Sequence, residues 1–172
     1  MDIISHGFSG YLIYLILIKL SIVSLTPSPQ ILILIFLVSM LPDIDGLWSK
    51  KLKNHHKGFF HSPIFWTIIA ILTSYVVPKE YSILFGSLIL FHLLCDFITE
   101  RTTGIPLFYP FSSKEYSLVK THPRWGEIDP KHPFSKKFKL YIKNYFKNTP
   151  LILFEITMNL LGIISLILIN LD

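Results

Sequence analysis

Five runs of apolar residues set the first constraint on how this chain folds. A transmembrane helix needs about 20 mostly apolar residues, with about 17 as the lower limit. Residues 8–25 form one such run, broken only by Lys19, whose aliphatic stem lets its ammonium reach an interface. Thr26-Pro27-Ser28-Pro29 follows as a turn, because each proline fixes its own φ and steers the preceding residue away from helix. Residues 28–42 give a second, shorter run that ends at Pro42, and residues 62–78 and 81–99 give a third and a fourth. Residues 149–171 complete the set, with Glu155 near the start of that run. A run as short as the second also fits a re-entrant segment. The pattern predicts an all-α polytopic membrane protein with about five transmembrane helices.

Composition points the same way. Hydrophobic residues make up 51% of the 172 residues and charged residues only 16%, with a mean hydropathy of +0.53. An average soluble domain carries about 25% charged residues, so this chain lacks the charge to cover a water-facing surface. A soluble globule, a disordered chain, a collagen-like repeat and a disulfide scaffold are excluded on that basis, and Cys95, the sole cysteine, has no internal disulfide partner. The length predicts a single membrane-embedded domain over 1–172. No Lys or Arg precedes the first apolar run and no small-residue cleavage pattern follows it, so that run is expected to stay in the membrane.

Charge sets an expected orientation. Lys50, Lys51, Lys53 and Lys57 lie between the second and third runs, and ten more Lys and Arg residues lie between Arg101 and Lys147. With five spans, these loops share one side with the N-terminus, leaving Lys79 and Lys19 for the other. Fourteen against two predicts a multi-pass protein of the cytoplasmic (inner) membrane with its N-terminus inside. Most of the net charge of +5 is then topology. No nucleic-acid partner is expected, since no binding module accompanies the charge. Within the 100–148 loop, Phe138, Tyr141, Ile142, Tyr145 and Phe146 recur at helical spacing among Lys136, Lys137, Lys139, Lys143 and Lys147. That is a basic amphipathic helix suited to an anionic leaflet, or alternatively packed on the rest of the protein.

The polar residues at the ends of the runs form a second pattern. His6 opens the first run, and Asp43 and Asp45 follow the second. His55, His56 and His61 precede the third run, while His92 and Asp96 stand near the end of the fourth. Alternating topology brings every one of these groups to the same membrane face. His92 and Asp96, four apart, share a helix stripe. Ionisable groups at a membrane are costly and need partners or a function. Imidazole and carboxylate together are the ligand set of zinc, manganese or iron. Taken singly each has a plainer reading: Asp43 as a turn residue after Pro42, His92 and Asp96 as a pair tying helices together, His55 as solvated, and His122 and His132 as interfacial. Their joint convergence favours one or two divalent ions, with zinc and manganese foremost. A two-metal site would use a bridging carboxylate and an activated water.

These blocks resemble the YdjM-type family of membrane-bound metal-dependent hydrolases. The likeness rests on His6 with Gly7 and Gly10, on Leu41-Pro42-Asp43-Ile44-Asp45, and on His56-Lys57-Gly58-Phe59-Phe60-His61-Ser62-Pro63. It continues through His92-Leu93-Leu94-Cys95-Asp96 and Thr103-Gly104-Ile105-Pro106-Leu107-Phe108-Tyr109-Pro110-Phe111-Ser112, covering about residues 1 to 118. Lys57 stands where the family usually has Arg, keeping the charge but losing the bidentate fork. Thr102 and Thr103 lie further from Asp96 than the family's usual Thr.

The resemblance implies metal-dependent hydrolysis. The expected metal ligands are His6, Asp43, His61, His92 and Asp96, with Asp45 as a further ligand or supporting partner. A metal-activated water would attack an ester or phosphoester, with His56 moving a proton and Lys57 neutralising developing charge. A site at the lipid boundary beside a basic helix suits an anionic lipid such as a lipid phosphate. Two readings compete. A lipid phosphatase with a haloperoxidase-like site would explain His92 and Asp96 but not His6 or Asp43. A non-enzymatic metal transporter or sensor would place its ligands along a path through the spans.

Overall fold

A computed structural model describes residues 3–47, 58–99, 104–118, 133–146 and 149–169. Among these the chain is helical, with no strand and one isolated antiparallel bridge between Ile105 and Tyr116. In chain order the helices are α1 (Ile3–Lys19), α2 (Pro29–Ser39), α3 (Pro63–Thr73), α4 (Lys79–Thr99), α5 (Phe134–Tyr145) and α6 (Thr149–Ile169). Two short 3-10 helices, Leu41–Leu47 and Phe59–His61, lie between α2 and α3.

Helix lengths correct the expectation of about five full spans. Among the described residues only α4, over Lys79–Ile98, and α6, over Leu151–Leu168, are long and apolar enough to cross a bilayer. The 17 residues of α1 sit at the lower limit. With 11 residues each, α2 and α3 rise about 16 Å against a hydrocarbon core of about 30 Å.

Local chemistry explains the shortfall. In α2, Pro29 occupies the first turn, where its missing N–H costs nothing, and the Ser28 hydroxyl accepts from the Ile31 N–H. The helix stops at Ser39, and the chain tightens into the 3-10 turn that contains Pro42. Ser62 and Pro63 open α3 in the same way. The hydroxyls of Thr73 and Ser74 fold back onto carbonyls of the last turn, where α3 ends. The first helix, expected over 8–25, starts at Ile3 and stops at Lys19; just beyond it Ser21 adopts a left-handed φ of 55°.

α1, α2, α3 and α4 enclose the core, where Tyr11, Tyr14, Ile35, Trp66, Leu84, Leu88 and Leu93 are buried. Against α1 lies α6, where the position a Gly162 Cβ would take is 2.5 Å from the Phe8 ring. Only a residue without a side chain permits that approach, the small-residue packing typical of membrane helices. Much of α6 leaves apolar side chains exposed, Leu153, Leu160, Ile164 and Leu168 among them. The amphipathic helix forms where the sequence predicts it, as α5, with Lys136, Lys139 and Lys143 exposed.

The 104–118 segment folds back against the ends of α3 and α4. Gly104 has a φ of +87°, and a Cβ there would meet the Tyr116 carbonyl oxygen at 2.2 Å. The turn therefore requires glycine. Ile105 and Tyr116 exchange both backbone hydrogen bonds, and the Leu118 N–H donates to the Phe97 carbonyl. The Ser62 hydroxyl donates to the Tyr109 carbonyl, fastening this segment beside His61.

Candidate metal centre

Four chain elements deliver imidazoles and carboxylates to one end of the bundle. His6 comes from the first turns of α1, Asp43 and Asp45 from the 3-10 turn after α2, His61 from the 3-10 turn before α3, and His92 and Asp96 from the last third of α4. His6, His61, His92 and Asp96 are each 2% exposed or less. Burial at that level obliges every polar atom to find a partner.

Ligand atoms of Asp43, His61, His92 and Asp96 all lie within 4.8 Å of one another. Asp43 Oδ1 is 3.4 Å from His61 Nε2 and 3.7 Å from His92 Nε2. Asp96 Oδ2 is 3.0 Å from His92 Nε2 and 3.7 Å from His61 Nε2. Donors held about 2.0–2.1 Å from a tetrahedral ion stand about 3.3–3.4 Å apart. The four separations straddle that edge length, so the group fits an ion at its centre.

Outer contacts orient the imidazoles. His92 Nδ1 lies 2.6 Å from the Ser39 carbonyl oxygen. A carbonyl only accepts, so Nδ1 carries a proton, and in the neutral ring Nε2 holds the lone pair. Nε2 faces the oxygens of Asp43 and Asp96, a set of atoms that calls for a cation or a proton between them. His61 directs Nε2 inward and turns Nδ1 towards Asp45 Oδ2 at 3.6 Å, an ion-pair distance on the side from which a carboxylate supports a metal-bound histidine. Burial opposes the charged form of His61, but Asp43 and Asp45 outweigh it and hold the ring above its ordinary 6.5.

His6, expected as a ligand, stands one step outside the four. Its Nε2 is 3.2 Å from Asp96 Oδ1, and its ring stacks on His92 with centroids 3.7 Å apart. Asp45, expected as a further ligand or a supporting partner, faces His61 Nδ1 from outside the four. The candidate catalytic pair, His56 and Lys57, lies outside the described residues, as do His55, His122 and His132. Their neighbour Gly58 adjoins the centre: a Cβ built there would be 3.6 Å from Asp45 Oδ2.

The roles of two contributors escape sequence reasoning. Ser39 acts through its backbone carbonyl, which leaves no trace in residue identity. Gly10 lets α2 approach, since a Cβ there would stand 2.0 Å from the Ser39 hydroxyl oxygen. Gly10 belongs to the block that carries the family likeness, but that block says nothing of the packing it permits.

The described residues form a helical bundle with two helices long and apolar enough to cross a membrane and an aspartate–histidine cluster close enough to hold a metal ion. The chain belongs to the YdjM inner membrane protein family, which it matches over residues 1–169. The family relationship thus extends past the blocks that first carried the resemblance to include α5 and all of α6. Comparison with curated proteins and with solved structures gives no match.

Proposed function

We propose that the protein is a metal-dependent hydrolase of the cytoplasmic membrane, acting on an ester or phosphoester, with a lipid phosphate as the favoured substrate. The observation that carries this reading is the inward-facing set of Asp43, His61, His92 and Asp96, spaced for an ion and braced by Ser39 and Asp45.

In this reading those four residues hold the ion, with zinc the best fit to two imidazoles and two carboxylates and manganese next. A divalent ion bound there supplies Lewis acidity towards a carbonyl or phosphoryl oxygen and acidifies water towards neutral pH. His6 fixes the orientation of Asp96 from the carboxylate's other oxygen. A second ion would need ligands beyond His6 and that oxygen. His56 and Lys57 precede Gly58 by two and one residues, within about 7 Å of chain. His56 passes a proton to the leaving group, and Lys57 meets developing negative charge.

In this reading the excess of Lys and Arg in the stretches 50–57 and 101–147, which adjoin the cluster-bearing elements in sequence, supports a cytoplasmic orientation of the cluster end by the positive-inside rule. There the basic helix α5 lies on the anionic leaflet and draws anionic lipid to the site. A transporter or sensor would share the ion, but the ligands gather at one end of the bundle rather than along a path through it.

The test is metal analysis and phosphate release by detergent-purified protein, with phosphatidic acid as the substrate and His92→Ala and Asp96→Ala as variants. Stoichiometric metal and phosphate release in the wild type, both lost in the variants, is the expected result. Metal without hydrolysis of phosphoester or carboxylic ester substrates would favour the sensor reading. No metal under any supplementation would refute the site.

A further inference from the structure

The 104–118 segment has two edges of opposite character. Its inner edge, Gly104 to Pro106, is buried, and Ile105 joins the apolar core of the bundle. Its outer edge carries Phe108, Phe111 and Leu118, which are 51%, 87% and 65% exposed. Large apolar side chains exposed on a fixed loop mark a surface that meets a protein or a lipid. This loop is fixed. The Ile105–Tyr116 bridge closes it, and the bonds from Ser62 to Tyr109 and from Leu118 to Phe97 tie it to the bundle.

The same two ties set its depth. Phe97 stands at the end of the apolar span Lys79–Ile98 of α4, whose 20 residues rise about 30 Å, the thickness of a hydrocarbon core. Leu118, bonded to Phe97, therefore lies where α4 leaves the hydrocarbon. Ser62, bonded to Tyr109, caps the start of α3 and adjoins His61, which faces Asp96 two residues before Ile98. Both ties put the loop in one interfacial zone, where bilayers receive aromatic side chains with head groups above and acyl chains below.

Side-chain chemistry along the loop suits that zone. The Phe108 ring packs edge-on against Tyr116 with centroids 5.6 Å apart, and Lys114 Nζ lies 5.4 Å from the centroid of the same tyrosine. Ammonium, phenol and phenyl ring thus stand in sequence, from a charge that lipid phosphates attract to a wholly apolar body. A folded partner would have to displace the head groups around the end of α4 to reach this edge, whereas lipid already surrounds it. We propose that the 104–118 loop is an interfacial anchor, which sinks Phe108 and Phe111 among the lipids of the leaflet at the cluster end and sets Lys114 at their phosphates. The anchor needs neither a bound metal nor hydrolysis, so it stands or falls apart from the hydrolase reading.

The experiment uses the full chain in vesicles of phosphatidylcholine and phosphatidylglycerol, with one nitroxide at Phe108→Cys, Phe111→Cys or Leu118→Cys. Cys95 is buried and stays unlabelled in the folded chain, which the wild type checks; Cys95→Ser replaces that background should it label. Power saturation compares collision with oxygen, which concentrates in hydrocarbon, and with a water-soluble nickel chelate. Ile164→Cys, on the exposed face of α6, gives the hydrocarbon reference, and free label gives the aqueous one. Labels at 108 and 111 are expected between the two, with nickel contact severalfold below that of free label. Omitting phosphatidylglycerol, or Lys114→Gln, should raise nickel contact at 111. In the unmodified chain, phosphatidylglycerol with a diazirine near its glycerol should label 104–118.

Nickel contact at 108 and 111 equal to that of free label would overturn the anchor. Shielding from both reagents would mean that a protein or a second copy of the chain covers this edge, and would overturn it equally. Unchanged depth in Lys114→Gln would remove Lys114 from the proposal. Should the cysteine variants misfold, the photolabelling map of the unmodified chain decides by itself, and no label within 104–118 would refute the anchor. A loop seated in lipid on a protein without metal or hydrolysis would sink the hydrolase reading alone. Metal and hydrolysis with a water-exposed loop would do the reverse.

Discussion

Replacing Gly10 with alanine tests how tightly packing and metal binding are joined. The added Cβ would stand 2.0 Å from the Ser39 hydroxyl oxygen, 3.1 Å from Ser39 Cβ and 3.2 Å from a Leu88 methyl. Carbon atoms in comfortable contact are about 3.5–4.0 Å apart. Rotating the Ser39 hydroxyl removes the first clash but neither of the others, so α1 must move away from α2 and α4. Overpacking of this kind costs about 1–3 kcal/mol. The strain falls on Ser39, whose carbonyl fixes His92, and on Leu88, one turn from the same histidine. Loss of such an outer partner weakens metal binding about 10–100-fold, equivalent to about 1.4–2.7 kcal/mol. The assay is zinc titration against a competing chelator, with thermal unfolding of the same samples. Ser39→Ala in the Gly10→Ala background removes the closest contact, and the double-mutant cycle should return a coupling of about 0.5–3 kcal/mol. A Gly10→Ala protein with wild-type zinc affinity and melting temperature would refute the link between helix approach and ligand placement.

Other outcomes are open to measurement. Asp96→Asn keeps the side chain's volume but removes the anionic oxygen 3.0 Å from His92 and 3.7 Å from His61; purified variant should carry well under one equivalent of metal by mass spectrometry, and full loading would contradict its role. Asp45→Asn leaves the four inner ligands intact, so metal should still saturate but with affinity lowered about 10–100-fold; an unchanged titration would remove Asp45 from the centre. His61 is held above 6.5 by Asp43 and Asp45 against the effect of burial, so in chelated protein its stabilising charge is complete below about pH 6.5 and lost as pH rises through the raised value. The loss of melting temperature on His61→Asn in chelated protein should therefore be larger at about pH 6 than at about pH 8.5, and zinc, which requires the neutral ring, should stabilise the wild type more at the higher pH; the opposite ordering would reject this account.

Much of the candidate site was legible because its residues are anomalous in their surroundings. Histidine and aspartate at the edges of apolar runs demand a reason, and helix periodicity together with alternating direction brought six of them to one end. Their division of labour was not legible. Whether His6 touches an ion or braces Asp96 depends on differences of about an ångström between neighbouring helices. The same holds for Asp45, which meets the outer nitrogen of His61 rather than the inner one. Helix length was misjudged for a definable reason: hydropathy continues through residues 40–42 and 74–78, but there the regular α-helical hydrogen bonding of α2 and α3 gives way to turns.

By itself, then, the sequence determined the medium and the ingredients: scarce charge and long apolar runs make the chain a helical membrane protein, and conspicuous polar residues provide ligand chemistry. Tertiary structure decided which atoms face one another. Composition and period act over whole segments and survive averaging along the chain. Coordination geometry depends on where four separate backbones stop and how closely they pass, and at Gly10 and Ser39 that is fixed by the absence of one side chain and the position of one carbonyl.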